Sequence, residues 1–176
     1  MEFDDPSFDD AFAQPGSGNF EAIERMLTNL AVNHTVQVET KYQDSKGNII
    51  YNASSPDELA LVNGARYLGI TYIGRDTTDN NIYNISFRGE ETRQYEMLAT
   101  IEFNSTRKRM TTVFKDLQTK EVRVMCKGAD SIILPLLKNP ESDAVKSLSE
   151  KTVNFMDNYA REGLRTLLIV EKVLTQ

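Results

Sequence analysis

The sequence predicts an α+β domain: a largely antiparallel, twisted sheet of about six to seven strands flanked by helices. Three observations carry that expectation. Short segments with period-two alternation recur between turns rich in Gly, Asn and Asp, a few segments show helical spacing instead, and no regular strand-helix-strand alternation runs along the 176 residues. A chain of this length supports one domain with a real core.

Residues 1–18 carry Asp4, Asp5, Asp9 and Asp10 with Pro6, Pro15 and Gly16-Ser17-Gly18, and are short of aliphatics. They read as a flexible lead-in or linker, with a single domain at 19–176. A helix is expected from Asn19, its cap, because Phe20, Ile23, Leu27, Leu30 and Ala31 recur at helical spacing. Paired strands follow at 36–41 and 47–52, joined by the Asp44-Ser45-Lys46-Gly47 turn. Ser55-Pro56-Asp57-Glu58 then opens a second helix, with Ser55 at the N-cap, Pro56 first in the helix and Glu58 placed for a capping box, and Gly69 ends it. Strands are expected at 71–75, 82–87, 93–103, 109–115 and 121–127, with turns at 79–81 and 116–120. A short apolar helix at 129–137, a break at Asn139-Pro140, a long helix at 141–161 stopped by Gly163, and a strand at 164–174 complete the order.

Composition narrows the function classes. The 40% hydrophobic and 26% charged content is that of a globular protein, and no apolar run approaches the roughly 20 residues of a bilayer span. The acidic N-terminus does not look like a signal peptide. A formal charge of −6 argues against a nucleic-acid-binding face, so an anion site here has to be a local basic cluster. With Cys126 the only cysteine and His34 the only histidine, an internal disulfide, a cysteine-rich zinc site and a histidine triad are all disfavoured.

Four segments could carry chemistry. In Cys126-Lys127-Gly128-Ala129-Asp130, a lysine at the end of an alternating strand passes into a glycine turn and a helix start, with Asp130 or Ser131 as cap. Val122, Val124 and Cys126 are expected to face the core, leaving Lys127 with Arg123 on the other face. In the run from Phe103 to Met110, an aromatic precedes a polar turn and the cations Arg107, Lys108 and Arg109. A ring beside cations suits a nucleotide, by stacking on the base and meeting the phosphates. Glu58 could accept from an adenine amino group, and Arg165 in Gly163-Leu164-Arg165-Thr166 could reach a phosphate oxygen. Each also has an ordinary reading: a solvated lysine, a core phenylalanine with a basic hairpin, a helix cap and a surface ion pair. No phosphate-binding Gly-x-x-x-x-Gly-Lys-Ser/Thr loop, dinucleotide Gly-x-Gly-x-x-Gly fingerprint or kinase catalytic loop is present.

Taken in order, Ser54-Ser55-Pro56-Asp57-Glu58, Phe103 to Met110, Cys126 to Asp130 and Gly163-Leu164-Arg165-Thr166-Leu167 resemble the nucleotide-binding domain of P-type ATPases, with the phospholipid flippases the nearest in look. The likeness runs from about Val32 to the C-terminus, and Phe3-Asp4-Asp5-Pro6 looks like the flippase lead-in. Asn33 stands where the family often has Cys, and Leu59 and Thr111 where Ala and Ser are common. The resemblance implies that Phe103 stacks on adenine, Glu58 meets its amino edge, Lys127 lies deep in the adenosine pocket, and Lys108 and Arg165 approach ribose or phosphates. Ser105, Gly128 and Thr166 join the implied site, Ser105 standing where related cation pumps have arginine. No catalytic residue or metal ligand is implied.

The family's phosphorylated aspartate, in Asp-Lys-Thr-Gly, does not occur in this sequence. The chain is therefore expected to bind ATP and hydrolyse none, presenting Mg-ATP to a phosphorylation domain elsewhere in a parent pump. Further implied partners are ADP, an actuator domain and an accessory membrane subunit of the parent, with the domain itself a monomer on the cytoplasmic side. The alternatives are the same domain of a cation or polyamine pump, and a non-catalytic interaction module with a vestigial pocket.

Overall fold

A computed structural model describes residues 5–43, 49–137 and 143–174. Its main sheet is a six-stranded antiparallel meander in which every strand lies beside its neighbours in sequence: β3 (Ile70–Arg75), β4 (Ile82–Phe87), β5 (Glu91–Ile101), β6 (Arg109–Asp116), β7 (Val122–Gly128) and β8 (Leu168–Leu174). The earlier strands β1 (Gln37–Gln43) and β2 (Ile49–Asn52) form a separate antiparallel pair. The expected 44–47 turn lies outside the described residues. The α+β expectation thus holds, with the sheet at six strands plus two.

Helices α2 (Gly18–Val32) and α3 (Pro56–Tyr67) cover one face of the sheet. Leu27, Ala31 and Val32 from α2 and Val62 and Ala65 from α3 pack on Ile70, Tyr72, Tyr83, Ile85, Phe114 and Met125, all at most 1% exposed. The α2 cap is Ser17, whose Oγ accepts from Phe20 N at 3.1 Å, and not the expected Asn19. At the end of α3, Gly69 takes φ +98°, a left-handed conformation that suits glycine.

The β6–β7 register overturns the expected facing of β7. Phe114, Thr112 and Met110 pair with Arg123, Met125 and Lys127, so these six share the helix-covered face, and Val122, Val124 and Cys126 lie on the other. Val122, Val124 and Cys126 are all apolar, whereas Met125 stands between Arg123 and Lys127, so alternation alone does not reveal which face meets the helices. The neighbouring strand does, because Phe114 belongs to the core.

The lead-in segment also departs from expectation. Pro6–Phe12 forms helix α1, with Asp5 as its N-cap accepting from Ser7 N and Phe8 N. Phe12 is buried, its ring centroid 5.4 Å from that of Phe20, and the Arg88 guanidinium lies 4.1 Å above Phe12 and donates to its carbonyl. A linker reading weighs aliphatics, whereas this segment docks by aromatic rings.

Between β7 and β8 lie α4 (Asp130–Ile133), a 3₁₀ turn at Leu134–Leu136 and the long α5 (Asp143–Arg161). Ala129 stands at the α4 N-cap with no side-chain cap bond, in place of the expected Asp130 or Ser131. Gly163, at φ +80°, ends α5 with paired bonds from Gly163 N to Ala160 O and Leu164 N to Tyr159 O. Met156 is the buried member of the apolar set expected on α5, while Val145, Leu148, Phe155 and Tyr159 are exposed.

Candidate functional site: a buried lysine–glutamate pair beneath an exposed phenylalanine

The N-terminus of α3 carries Glu58 to the end of β7. Ser55 caps the helix as expected, its Oγ accepting from Glu58 N at 3.4 Å, but only half of the capping box forms. The Glu58 carboxylate turns away from the cap. Its Oε2 accepts from Thr35 Oγ1 at 2.7 Å and Thr35 N at 3.2 Å, and its Oε1 accepts from Lys127 Nζ at 3.1 Å. The side chains of Lys127 and Glu58 are 7% and 13% exposed, so a complete ion pair sits nearly dry on the core face. This burial corrects the solvated reading of Lys127.

Burial acts on the two partners unequally. It pulls the Lys127 pKa below the usual lysine range, with the Glu58 carboxylate opposing. At Glu58 burial pushes upward but is outweighed by the Thr35 hydrogen bonds and the Lys127 charge, which hold the carboxyl below its ordinary value. The carboxylate has three donors and the ammonium one acceptor, which accounts for the difference.

The pair forms the floor of a cavity of about 280 Å³, bounded by Thr35, Glu58, Met110, Lys127 and Gly128, with Phe103 at its mouth. Phe103 stands two residues beyond the end of β5 and is 63% exposed, so its ring face is not committed to the core. Gly128 is needed for closeness and not for a turn. A Cβ there would stand 2.7 Å from Lys108 O and 2.6 Å from Arg109 Cβ, because Arg109, at the start of β6, lies directly opposite it in the sheet. Lys108, at φ +49°, makes that approach possible, and its carbonyl accepts from Ala129 N at 3.1 Å.

The structure therefore brings Glu58, Phe103, Lys127 and Gly128 together around one cavity. Ser105 and Lys108 lie in the hairpin turn ordered by Asn104 Oδ1, which accepts from Thr106 N and Arg107 N, and do not line it. Arg165 and Thr166 line an adjoining groove of about 740 Å³ between α3, α5 and β8, which shares Asp57, Leu61 and Leu167 with the cavity. The exposed Arg165 donates to both Asp57 carboxylate oxygens at 2.6 Å.

Thr35, Asp57 and Leu167 escape sequence reasoning as site residues although each lies within a stretch that carries the family likeness. Thr35 is 23 residues from Glu58, and only the packing of α2 against α3 joins them. His34 supports this junction from the core, where it is 2% exposed. Its Nδ1 accepts from Val36 N at 3.0 Å, so Nε2 carries the proton and donates to Ala31 O at 2.8 Å. Burial lowers its pKa to about 4.

A family model described as "P-type ATPase, cytoplasmic domain N" matches residues 22–176. The chain belongs to this family. Among relatives of this N domain, a phospholipid-transporting ATPase DNF1 of Chaetomium thermophilum is 37% identical over the whole of the chain and 11% of its own length. Phospholipid-transporting ATPase DRS2 of Saccharomyces cerevisiae is 38% identical over 92% of the chain, and phospholipid-transporting ATPase FetA of Mus musculus 38% over 82%, again 11% of each relative. The N domain thus spans about a tenth of the length of these relatives. Among its described residues no helix is long and apolar enough to cross a membrane, and no three His, Cys, Asp or Glu side chains gather as a metal-ion site.

Proposed function

We propose that this N domain binds ATP and presents its γ-phosphate to the phosphorylation domain of a phospholipid-translocating parent on the cytoplasmic side of a membrane. The observation that carries the reading is the convergence of Phe103, Glu58 and Lys127, from three separate segments, on one cavity. An exposed ring offers a stacking face for a base, and base–aromatic stacking contributes about 1–3 kcal/mol in single-stranded nucleic-acid sites. Glu58 supplies an acceptor for an amino group at the base edge and Lys127 a donor beside it. Arg165 and Thr166, in the adjoining groove, lie on the side from which phosphates are met, where Arg165 exchanges Asp57 for a phosphate oxygen.

The phospholipid-transporting names of the relatives support the nature of the parent. Magnesium arrives with ATP and neutralises phosphate charge, and the actuator domain and an accessory subunit belong to the parent's cycle. The domain itself delivers the nucleotide without hydrolysing it.

Stacking and a few polar contacts must offset the entropy of immobilising ATP, so the expected affinity is on the order of 1 mM. Calorimetric titration of ATP and ADP into the domain and its Lys127→Ala variant tests the reading. Millimolar binding lost in the variant supports it; equal affinity in both proteins overturns it.

A further inference from the structure

We propose that Thr35 is the positioning residue for base selectivity: it holds the Glu58 carboxylate ionised and in one orientation, so that only Oε1, which also accepts from Lys127, has a lone pair for the base edge. The proposal rests on the nucleotide reading above and deepens it.

The terminal torsion of a glutamate is broad, so a carboxylate plane is set by its hydrogen bonds and not by rotamer preference. Here Oε2 takes both donors of Thr35, the hydroxyl at 2.7 Å and the amide at 3.2 Å. Oε1 is thereby the oxygen turned to Lys127. Thr35 is fixed in turn, because the His34 ring bonds Ala31 O on one side of it and Val36 N on the other. The α2–β1 junction therefore aims two donors at one carboxylate oxygen.

Ionisation decides which base edge fits. A carboxylate accepts only, so it suits adenine's exocyclic amine and opposes a carbonyl at the same place. A protonated carboxyl has an O–H that bonds a carbonyl, and the selection would vanish. Among the described residues, the other titratable groups around Glu58 are Lys127 on β7, Tyr83 on β4, His34 before β1, the adjacent Asp57 and Glu102 on the cavity wall. Of these Lys127 alone bonds the carboxylate, and Thr35 supplies the remaining donors.

The test uses Thr35→Val, which removes the hydroxyl while keeping shape and backbone amide, and Thr35→Ser, which keeps both donors. Two readouts apply: the Glu58 carboxyl titration by ¹³C NMR without nucleotide, and calorimetric affinities for ATP and inosine triphosphate, whose base has a carbonyl in place of the amine. Thr35→Val is expected to titrate at higher pH and to lose about tenfold in its preference for ATP, while Thr35→Ser matches wild type in both. An unchanged titration and preference in Thr35→Val, or a Thr35→Ser protein that behaves like Thr35→Val, overturns the proposal. If Thr35→Val does not fold, the smaller Thr35→Ala takes its place with the same expected outcomes. Wild-type protein that binds no ATP overturns the nucleotide reading and the selectivity with it, and the nucleotide-free titration separates that failure from a failure of Thr35 to hold Glu58.

Discussion

Removing one charge of the Glu58–Lys127 pair should destabilise the fold, and the two removals should not add. The ions stand 3.1 Å apart with side chains 13% and 7% exposed. At an effective dielectric near 20 their gross attraction is about 5 kcal/mol, most of it cancelled by the desolvation that burial imposes. Glu58→Gln strands an ammonium with little access to water and is expected to cost about 2–4 kcal/mol. Lys127→Met leaves a carboxylate that keeps both Thr35 donors, so it should cost less, about 1–3 kcal/mol. The double variant should fall short of the sum by about 2 kcal/mol, the coupling of a dry pair. Urea unfolding of all four proteins at pH 7.5, repeated in 0.5 M salt, measures this, and most of the coupling should survive salt because a pair this buried is screened only weakly. Single losses under about 0.5 kcal/mol, or strict additivity, would refute a buried ion pair.

Three further outcomes follow from the same geometry. Gly128→Ala should cost about 1–3 kcal/mol by urea unfolding, because the new Cβ would press on the Lys108 carbonyl and the Arg109 backbone. His34 takes up a proton near pH 6.5 in the unfolded chain but only near 4 in the fold, so stability is complete above 6.5 and falls by about 3 kcal/mol toward pH 4. The slope over that window should flatten in His34→Gln, and an unchanged slope would deny that His34 is buried neutral. Phe103→Ala should leave the urea midpoint nearly unmoved, since the ring is 63% exposed, while weakening ATP binding about tenfold in calorimetry.

The parts of this domain legible in the sequence are those written by local chemistry. Strand β4 falls on the expected 82–87, and Ser55-Pro56 starts α3 as its capping residues require. The parts that were not legible depend on partners distant in sequence. Which face of β7 enters the core is decided by Phe114 on β6, and α1 is held by Arg88, 76 residues from Phe12. Glu58 shows the same limit within one residue. Its spacing from Ser55 specifies a capping box, yet Thr35 and Lys127 offer its carboxylate stronger, charge-assisted bonds in a drier place, and the local partner loses. Gly128 is conspicuous in the sequence, but the reason for it lies in the close approach of Lys108 and Arg109, which only the β6–β7 register reveals.

The most direct test of the central claim is to titrate ATP into the ¹⁵N-labelled domain and follow its amide resonances. Saturable shifts at low millimolar ATP, concentrated at Thr35, Glu58, Phe103, Lys127 and Gly128, are the predicted result. Shifts that cluster away from this cavity, or none that saturate at several millimolar, would contradict it.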